Sequence, residues 1–168
     1  GPIRIQFHRG WPPYPKRDQP ICCRHADKGR TCQGPFPDMI DAGILLTGGS
    51  GERMRGIVGD KILYTLHGKP IFQYSIEVFC ESGLFNELVI VHRDKTQRKA
   101  LETVVSKISF QDMPKVTWAM GGNERMNSVH KGLHAFQDSP ELVFIHDCAR
   151  PAISKDLLNE LALAARKH

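Results

Sequence analysis

The chain has 168 residues with 40% hydrophobic content, enough for one domain with a real core, and its formal net charge is +5. Residues 1–38 hold seven Lys/Arg against three Asp/Glu, which leaves a net of only +1 for residues 39–168; with no aromatic-basic strand pattern in that part, a nucleic-acid binder is set aside. No apolar run approaches the roughly 18 residues of a membrane span and no secretory leader pattern is present, so no membrane role is expected and the protein reads as cytoplasmic.

Residues 1–38 read as an extension outside the core. Five of the first twenty residues are proline and three of the five cysteines lie there, with few aliphatic residues in any periodic order. Cys22, Cys23, Cys32 and His25 raise a zinc site, but structural zinc ligands pair as C-x₂₋₄-C, which adjacent cysteines do not do. An organelle transit peptide fits the arginines and not the complete lack of serine. Met39 stands just before the first predicted strand, and the native start is expected near it. The domain is expected over residues 39–168.

From Ala42 short apolar runs alternate with amphipathic stretches, the pattern of βαβ units. Strands are predicted at Ala42–Thr47, Glu87–His92, Lys115–Ala119 and Glu141–His146. The first, second and fourth are almost continuously apolar, as strands covered on both faces are. A helix is predicted to start with Pro70 at its first position, with Ile71, Tyr74, Val78 and Phe79 on one face. A second, near Thr96–Ile108, aligns Leu101, Val104, Val105 and Ile108. A third, near Arg125–Phe136, aligns Met126, Val129, Leu133 and Phe136. The last, Ser154–Lys167, is capped by Ser154 and expected to bury Leu157, Leu158, Leu161 and Ala165. The fold class that follows is α/β, a three-layer Rossmann-like domain with a mainly parallel sheet. Ligands of such sheets gather at the carboxyl ends of the strands, which directs attention to the loops after Thr47, Ala119 and His146.

The first of these loops reads Thr47-Gly48-Gly49-Ser50-Gly51-Glu52-Arg53-Met54. Glycines after a strand let backbone N–H groups approach phosphate oxygens, although a tight structural turn would also use them. The Walker pattern is absent because no Gly-Lys-Ser/Thr follows, and Met54 stands where the dinucleotide fingerprint needs its third glycine. Arg53 and Lys61 instead offer two cations to a polyphosphate.

Gly49-Ser50-Gly51-Glu52-Arg53-Met54, Lys61 and Gly68-Lys69-Pro70 together resemble the G-x-G-x-R-M … K … G-x-P signature of sugar-phosphate nucleotidyltransferases. Gly121-Gly122-Asn123-Glu124-Arg125-Met126-Asn127-Ser128-Val129 resembles the G-G-x-x-R-x-x-S-V segment of the 2-C-methyl-D-erythritol 4-phosphate cytidylyltransferases. His146-Asp147-Cys148-Ala149-Arg150-Pro151 is similar to that family's H-D-A-A-R-P. The resemblance covers about residues 42–166. It implies cytidylyl transfer from CTP to a polyol phosphate, 2-C-methyl-D-erythritol 4-phosphate, with Mg²⁺ as cofactor and pyrophosphate released for isoprenoid precursor synthesis.

In that setting Gly48, Gly49, Ser50 and Gly51 would bind the nucleotide. Arg53 and Lys61 would stabilise charge on the transferred phosphate, unless they are solvated loop cations. By the same resemblance Gly121, Gly122, Asn123 and Ser128 would contact cytosine and ribose, although Ser128 could instead bond its own helix backbone. Arg150 would face the acceptor phosphate. Asp147 would hold Mg²⁺ as a hard oxygen ligand, or else cap the next turn. His130 and His146 are expected to pack or hydrogen-bond, because an attacking phosphate is already an anion. Cys148 reads as a small buried residue.

Three departures from the family pattern stand out. Asp60 replaces the proline usual before the lysine, the Met54–Lys61 loop is one residue longer, and Asn123 replaces a frequent aspartate. The family's dimer arm and further acceptor contacts lie beyond His168, so the chain is expected to be a fragment of a homodimeric enzyme. A cytidylyltransferase for ribitol 5-phosphate and a CTP-binding module without turnover are the competing readings.

Overall fold

The structure, a computed structural model, describes residues 41–48, 60–110 and 112–167. Residues 1–40, with their cysteines and Met39, and the loop residues Gly49, Ser50, Gly51 and Arg53 lie outside the described residues.

The apolar runs form a four-stranded, wholly parallel sheet. Its strands are β1 (Asp41–Leu46), β4 (Phe85–His92), β5 (Lys115–Met120) and β6 (Leu142–Asp147), in the order β5-β4-β1-β6. β1 is buried along its whole length and β4 at all but one position, because both are interior strands with helices over each face. β5 and β6 are half-exposed, as edge strands are. Each strand lies within two residues of its predicted span at either end.

The register decides what stands at the carboxyl edge. Leu46 aligns with Val91 on one side and Asp147 on the other, and His92 aligns with Met120. Residues 47–48, 93, 121–123 and 148 therefore emerge at one level. The chain leaves β5 at one edge and re-enters at β6 on the other, the reversal that opens a crevice in doubly wound sheets.

The alternating side chains of the central strands feed two cores. Leu45, Leu88 and Ile90 pack with Phe72, Ile76 and Phe79 of α1 (Ile71–Glu81), Leu101 of α2 (Lys95–Val105) and Leu158 of α4 (Lys155–Arg166). Ile44, Leu46, Val89 and Val91 pack on the other face against Val129 and Leu133 of α3 (Arg125–Leu133). The three layers are thus α1, α2 and α4, then the sheet, then α3. Gly132 permits the close approach of α3. A Cβ there would stand 3.0 Å from Ile44 Cγ2 and 3.2 Å from Val91 Cγ2.

Several helix faces differ from expectation. Pro70 is the N-cap of α1 rather than its first residue, and the buried stripe is Phe72, Ser75, Ile76, Phe79 and Cys80, so of the expected four only Phe79 is buried. Met126 is 76% exposed, because α3 meets the sheet through Val129, Gly132 and Leu133. In α4 only Leu158 of the four expected residues is buried, joined by Ala162, while Leu157, Leu161 and Ala165 are exposed. Ser154 does cap α4, accepting from Leu157 N at 3.2 Å.

A small antiparallel hairpin not anticipated from the sequence pairs β2 (Thr65–Leu66) with β3 (Lys69–Pro70). His67 (φ 47°) and Gly68 (φ 82°) form its tip with the positive φ pair of a tight two-residue turn. No helix among the described residues is long and apolar enough to cross a membrane.

Candidate active site

At the carboxyl edge a cleft of about 650 Å³ is lined by Gly48, Arg93, Met120, Gly121, Gly122, Asn123, Asn127, Ser128, His130 and Lys131. Its size suits a small-molecule ligand. The described lining carries no carboxylate; of its two cations Arg93 is paired with Asp94 and Asp60, while Lys131 has no carboxylate partner among the described residues and favours an anion.

The cleft wall is built from the loop between β5 and α3. Gly121 N donates to His92 O at 2.8 Å, continuing the β4–β5 ladder by one bond. The backbone then turns back on α3, where Ser128 Oγ accepts from Gly122 N at 3.0 Å. Ser128 is buried and so braces the loop rather than bonding its own helix. Lys131 Nζ donates to Gly121 O at 3.0 Å, holding the same peptide from outside. A Cβ on Gly122 would fall 2.4 Å from Asn127 Cβ, a separation two carbons cannot share, so the loop takes this path only with glycine there.

The opposite wall follows β1 and β4. Thr47 bonds Val91 O through both its backbone N (3.0 Å) and Oγ1 (2.7 Å), so Gly48 leaves the sheet in a fixed direction. Gln97, 2% exposed in the first turn of α2, donates from Nε2 to Thr47 O at 3.2 Å and to Asp60 Oδ2 at 2.7 Å. Lys61 follows Asp60 directly, half-buried, and makes no side-chain ion pair among the described residues.

Asp147 ends β6 with its side chain one-third exposed, facing Arg125 Nε at 3.7 Å and Arg150 Nε at 4.0 Å. The third motif is thereby brought against the first turn of α3. Asp147 does close the next turn, but through its backbone, since Arg150 N donates to Asp147 O at 2.9 Å. The carboxylate itself remains at the edge.

The neighbouring histidines differ in burial. Burial holds His146 below the ordinary imidazole range, its Nε2 stands 3.0 Å from Ser75 Oγ, and its ring lies against Phe79. His92 is likewise lowered by burial, with Nδ1 3.1 Å from Asp94 O. His130 is exposed, and its ring leans on His134 with centroids 4.2 Å apart. Cys148 is completely buried, and that burial pushes its thiol far above the ordinary range.

The structure therefore gathers Gly48, Gly121, Gly122, Asn123 and Ser128 around one cleft and puts Asp147 and Arg150 together at the end of β6. Arg93, Asn127, Lys131 and Arg125 join them without having been assigned roles from the sequence. Arg125 and Asn127 lie inside the second motif, where their types were visible. Arg93 and Lys131 carried no local signal, since their proximity arises from strand register and helix phase.

A D-ribitol-5-phosphate cytidylyltransferase of Xenopus tropicalis is 29% identical over 134 residues, 74% of this chain and 31% of that protein. A 2-C-methyl-D-erythritol 4-phosphate cytidylyltransferase of Lachnospira eligens is 35% identical over 121 residues, 71% of this chain and 51% of its own length. The chain thus spans about half the length of such relatives or less. Among solved structures, 4-diphosphocytidyl-2C-methyl-D-erythritol synthase from Anaerococcus prevotii superposes with a TM-score of 0.64 at 22% identity, covering 77% of this chain and 52% of the other, a likeness of fold. Residues 42–168 match the family model for 2-C-methyl-D-erythritol 4-phosphate cytidylyltransferase (IspD), and the chain belongs to that family.

Proposed function

We propose that the full-length protein transfers a cytidylyl group from CTP to 2-C-methyl-D-erythritol 4-phosphate and releases pyrophosphate. The observation that carries this reading is the cleft itself. Gly48, at the start of the first loop, and the Gly121–Ser128 segment of the second motif line one cavity at the carboxyl edge of the sheet, and Asp147 of the third motif stands against the first turn of α3, in a chain of this family.

In this reading the Gly121–Asn123 loop and Gly48 hold the nucleoside. Lys61, with Arg53, neutralises charge building on the α-phosphate as the acceptor phosphate oxygen attacks. No general base is required, because that oxygen is already anionic. Arg150 orients the acceptor phosphate.

Asp147 is a suitable Mg²⁺ ligand. Mg²⁺ keeps waters and phosphate oxygens and takes one or two carboxylates, so a single partly exposed carboxylate with only long ion pairs fits it; among the described residues no group of three or more His, Cys, Asp or Glu is placed to hold a metal. When bound, the ion would supply positive charge beside the phosphates. A cytoplasmic, homodimeric full-length protein completes the proposal.

The second reading, ribitol 5-phosphate as acceptor, is favoured by the Xenopus relative. Pyrophosphate release measured with four nucleotides and both polyol phosphates separates them. CTP with methylerythritol phosphate should be the preferred pair. A preference for ribitol phosphate would move the assignment to the second reading, and CTP binding without turnover would make the protein a binding module.

Gly122→Ala tests the nucleoside wall. The added methyl must displace the loop from Asn127. CTP affinity should fall by about tenfold or more, the equivalent of one misplaced hydrogen-bonded contact, with the fold retained. Unchanged affinity in a titration would remove this loop from the nucleotide site.

A further inference from the structure

We propose that Asp60 is a positioning residue for Lys61, an inference that rests on the reading above. Its carboxylate ties the turn carrying Lys61 to a fixed post at the carboxyl edge of the sheet.

The post is Gln97. Its amide is engaged at both ends: Oε1 accepts from Arg93 N at 2.6 Å, and Nε2 donates to Thr47 O at 3.2 Å and Asp60 Oδ2 at 2.7 Å. Gln97 N in turn donates to the Asp94 N-cap at 2.8 Å, so the residue is held through backbone and side chain alike. The Asp60 side chain, only 14% exposed, receives a second charge-assisted contact on Oδ2 from Arg93 Nη2 at 3.4 Å. Its other oxygen accepts from Ile62 N at 3.3 Å, reaching over Lys61.

Beyond Lys61 the chain is anchored again. Ile62 is 1% exposed in the core, and its carbonyl accepts from Phe72 N at 2.8 Å. Lys61 thus sits between two anchors, its backbone held while its side chain remains half-exposed and without an ion pair among the described residues.

This arrangement answers the departure from the family pattern. Proline restricts both its own φ and the residue before it, and thereby aims the lysine through the backbone alone. Asp60 lacks that restraint and supplies side-chain bonds instead. Because the clamp grips residue 60 itself, Lys61 is placed independently of the extra residue in the Met54–Lys61 loop. Arg93, which lines the cleft, also touches the carboxylate, but its closer pair with Asp94 at 2.8 Å holds it in place without Asp60.

The test uses the full-length protein with Asp60→Ala, Asp60→Asn, Lys61→Ala and the Asp60→Ala/Lys61→Ala double variant. In ligand-free Asp60→Ala, hydrogen exchange at the Ile62–Tyr64 amides should accelerate. Its kcat should fall by about tenfold or more, with KM for CTP nearly unchanged, as expected when a charge-stabilising group is misplaced by a fraction of an ångström. Asp60→Asn, which keeps a carbonyl acceptor, should lie between it and wild type. The double variant should be no slower than Lys61→Ala, because Asp60 acts only through Lys61.

Losses that multiply in the double variant, wild-type kcat in Asp60→Ala, or unaltered amide exchange would each overturn the proposal. A wild-type protein that releases no pyrophosphate with any acceptor counts against the proposed function instead. Amide exchange then decides by itself whether Asp60 holds the turn.

Discussion

Lys61→Ala in the full-length protein should lower kcat by about 10²-fold or more, since removing one preorganised charge-stabilising donor typically costs on the order of 3 kcal/mol. Phosphoryl and nucleotidyl transfer offer little covalent chemistry for a protein to assist. The rate depends on positioning and on cations placed where charge develops. Lys61 has the attributes of such a cation: anchored backbone on both sides, a half-exposed side chain, and no carboxylate partner among the described residues to compete with a phosphate. Folding should be unaffected, because the buried member of the turn is Ile62. Steady-state pyrophosphate release, with CTP titrated separately, checks the expectation. A fall in kcat with CTP affinity nearly retained matches a group acting in the transition state, whereas a change confined to KM would make Lys61 a ground-state binding contact.

Arg166→Ala should destabilise the fold by about 3–5 kcal/mol, the cost of leaving a buried charge without its partner. Arg166, the last residue of α4, pairs with Asp41 at the start of β1, and the Asp41 side chain is only 2% exposed. Arg166 bonds Oδ2, and the other carboxylate oxygen, Oδ1, has no hydrogen-bond partner among the described residues. Burial raises the Asp41 pKa above its ordinary value, and the bond and charge of Arg166 oppose this without cancelling it. A raised folded-state pKa means that the native state holds its proton more tightly than the unfolded chain does. Stability linked to Asp41 is therefore greatest below the ordinary carboxylate value and declines as pH rises through the folded-state value. Removing Arg166 removes the opposing influence, so the decline should move to higher pH and grow larger.

Asp41→Asn should cost much less, because a neutral amide avoids the desolvation and Arg166 retains a little solvent access. Urea unfolding of wild type, Arg166→Ala and Asp41→Asn at several pH values reads all of this. Equal losses in the two variants would show that the pair acts as a simple attractive contact. A pH-independent Arg166→Ala loss would show that Asp41 is not the group left exposed.

The amino-acid sequence by itself determined the fold class and which loops emerge at the carboxyl edge of the sheet. Strands buried on both faces must be apolar along their length, and Asp41–Leu46 and Phe85–His92 could satisfy that pattern in few other ways. The motif loops were legible because their residues are contiguous, whereas the bracing of Gly122 by Ser128 from the following helix was decided by the fold. Tertiary structure decided what depends on contacts distant in the chain. Helices α1, α3 and α4 carry apolar residues on more than one side, and only the docking of each against its core selected Phe72, Val129 or Leu158 over Tyr74, Met126 or Leu161. Arg93 and Lys131 became cleft residues through strand register and helix phase. Asp60, in sequence merely a departure from a proline, acquired its role because Gln97, thirty-seven residues later, stands within hydrogen-bond reach. A side-chain clamp between segments so far apart has no local signature. It exists only once the sheet has brought the ends of β1 and β4 to one edge.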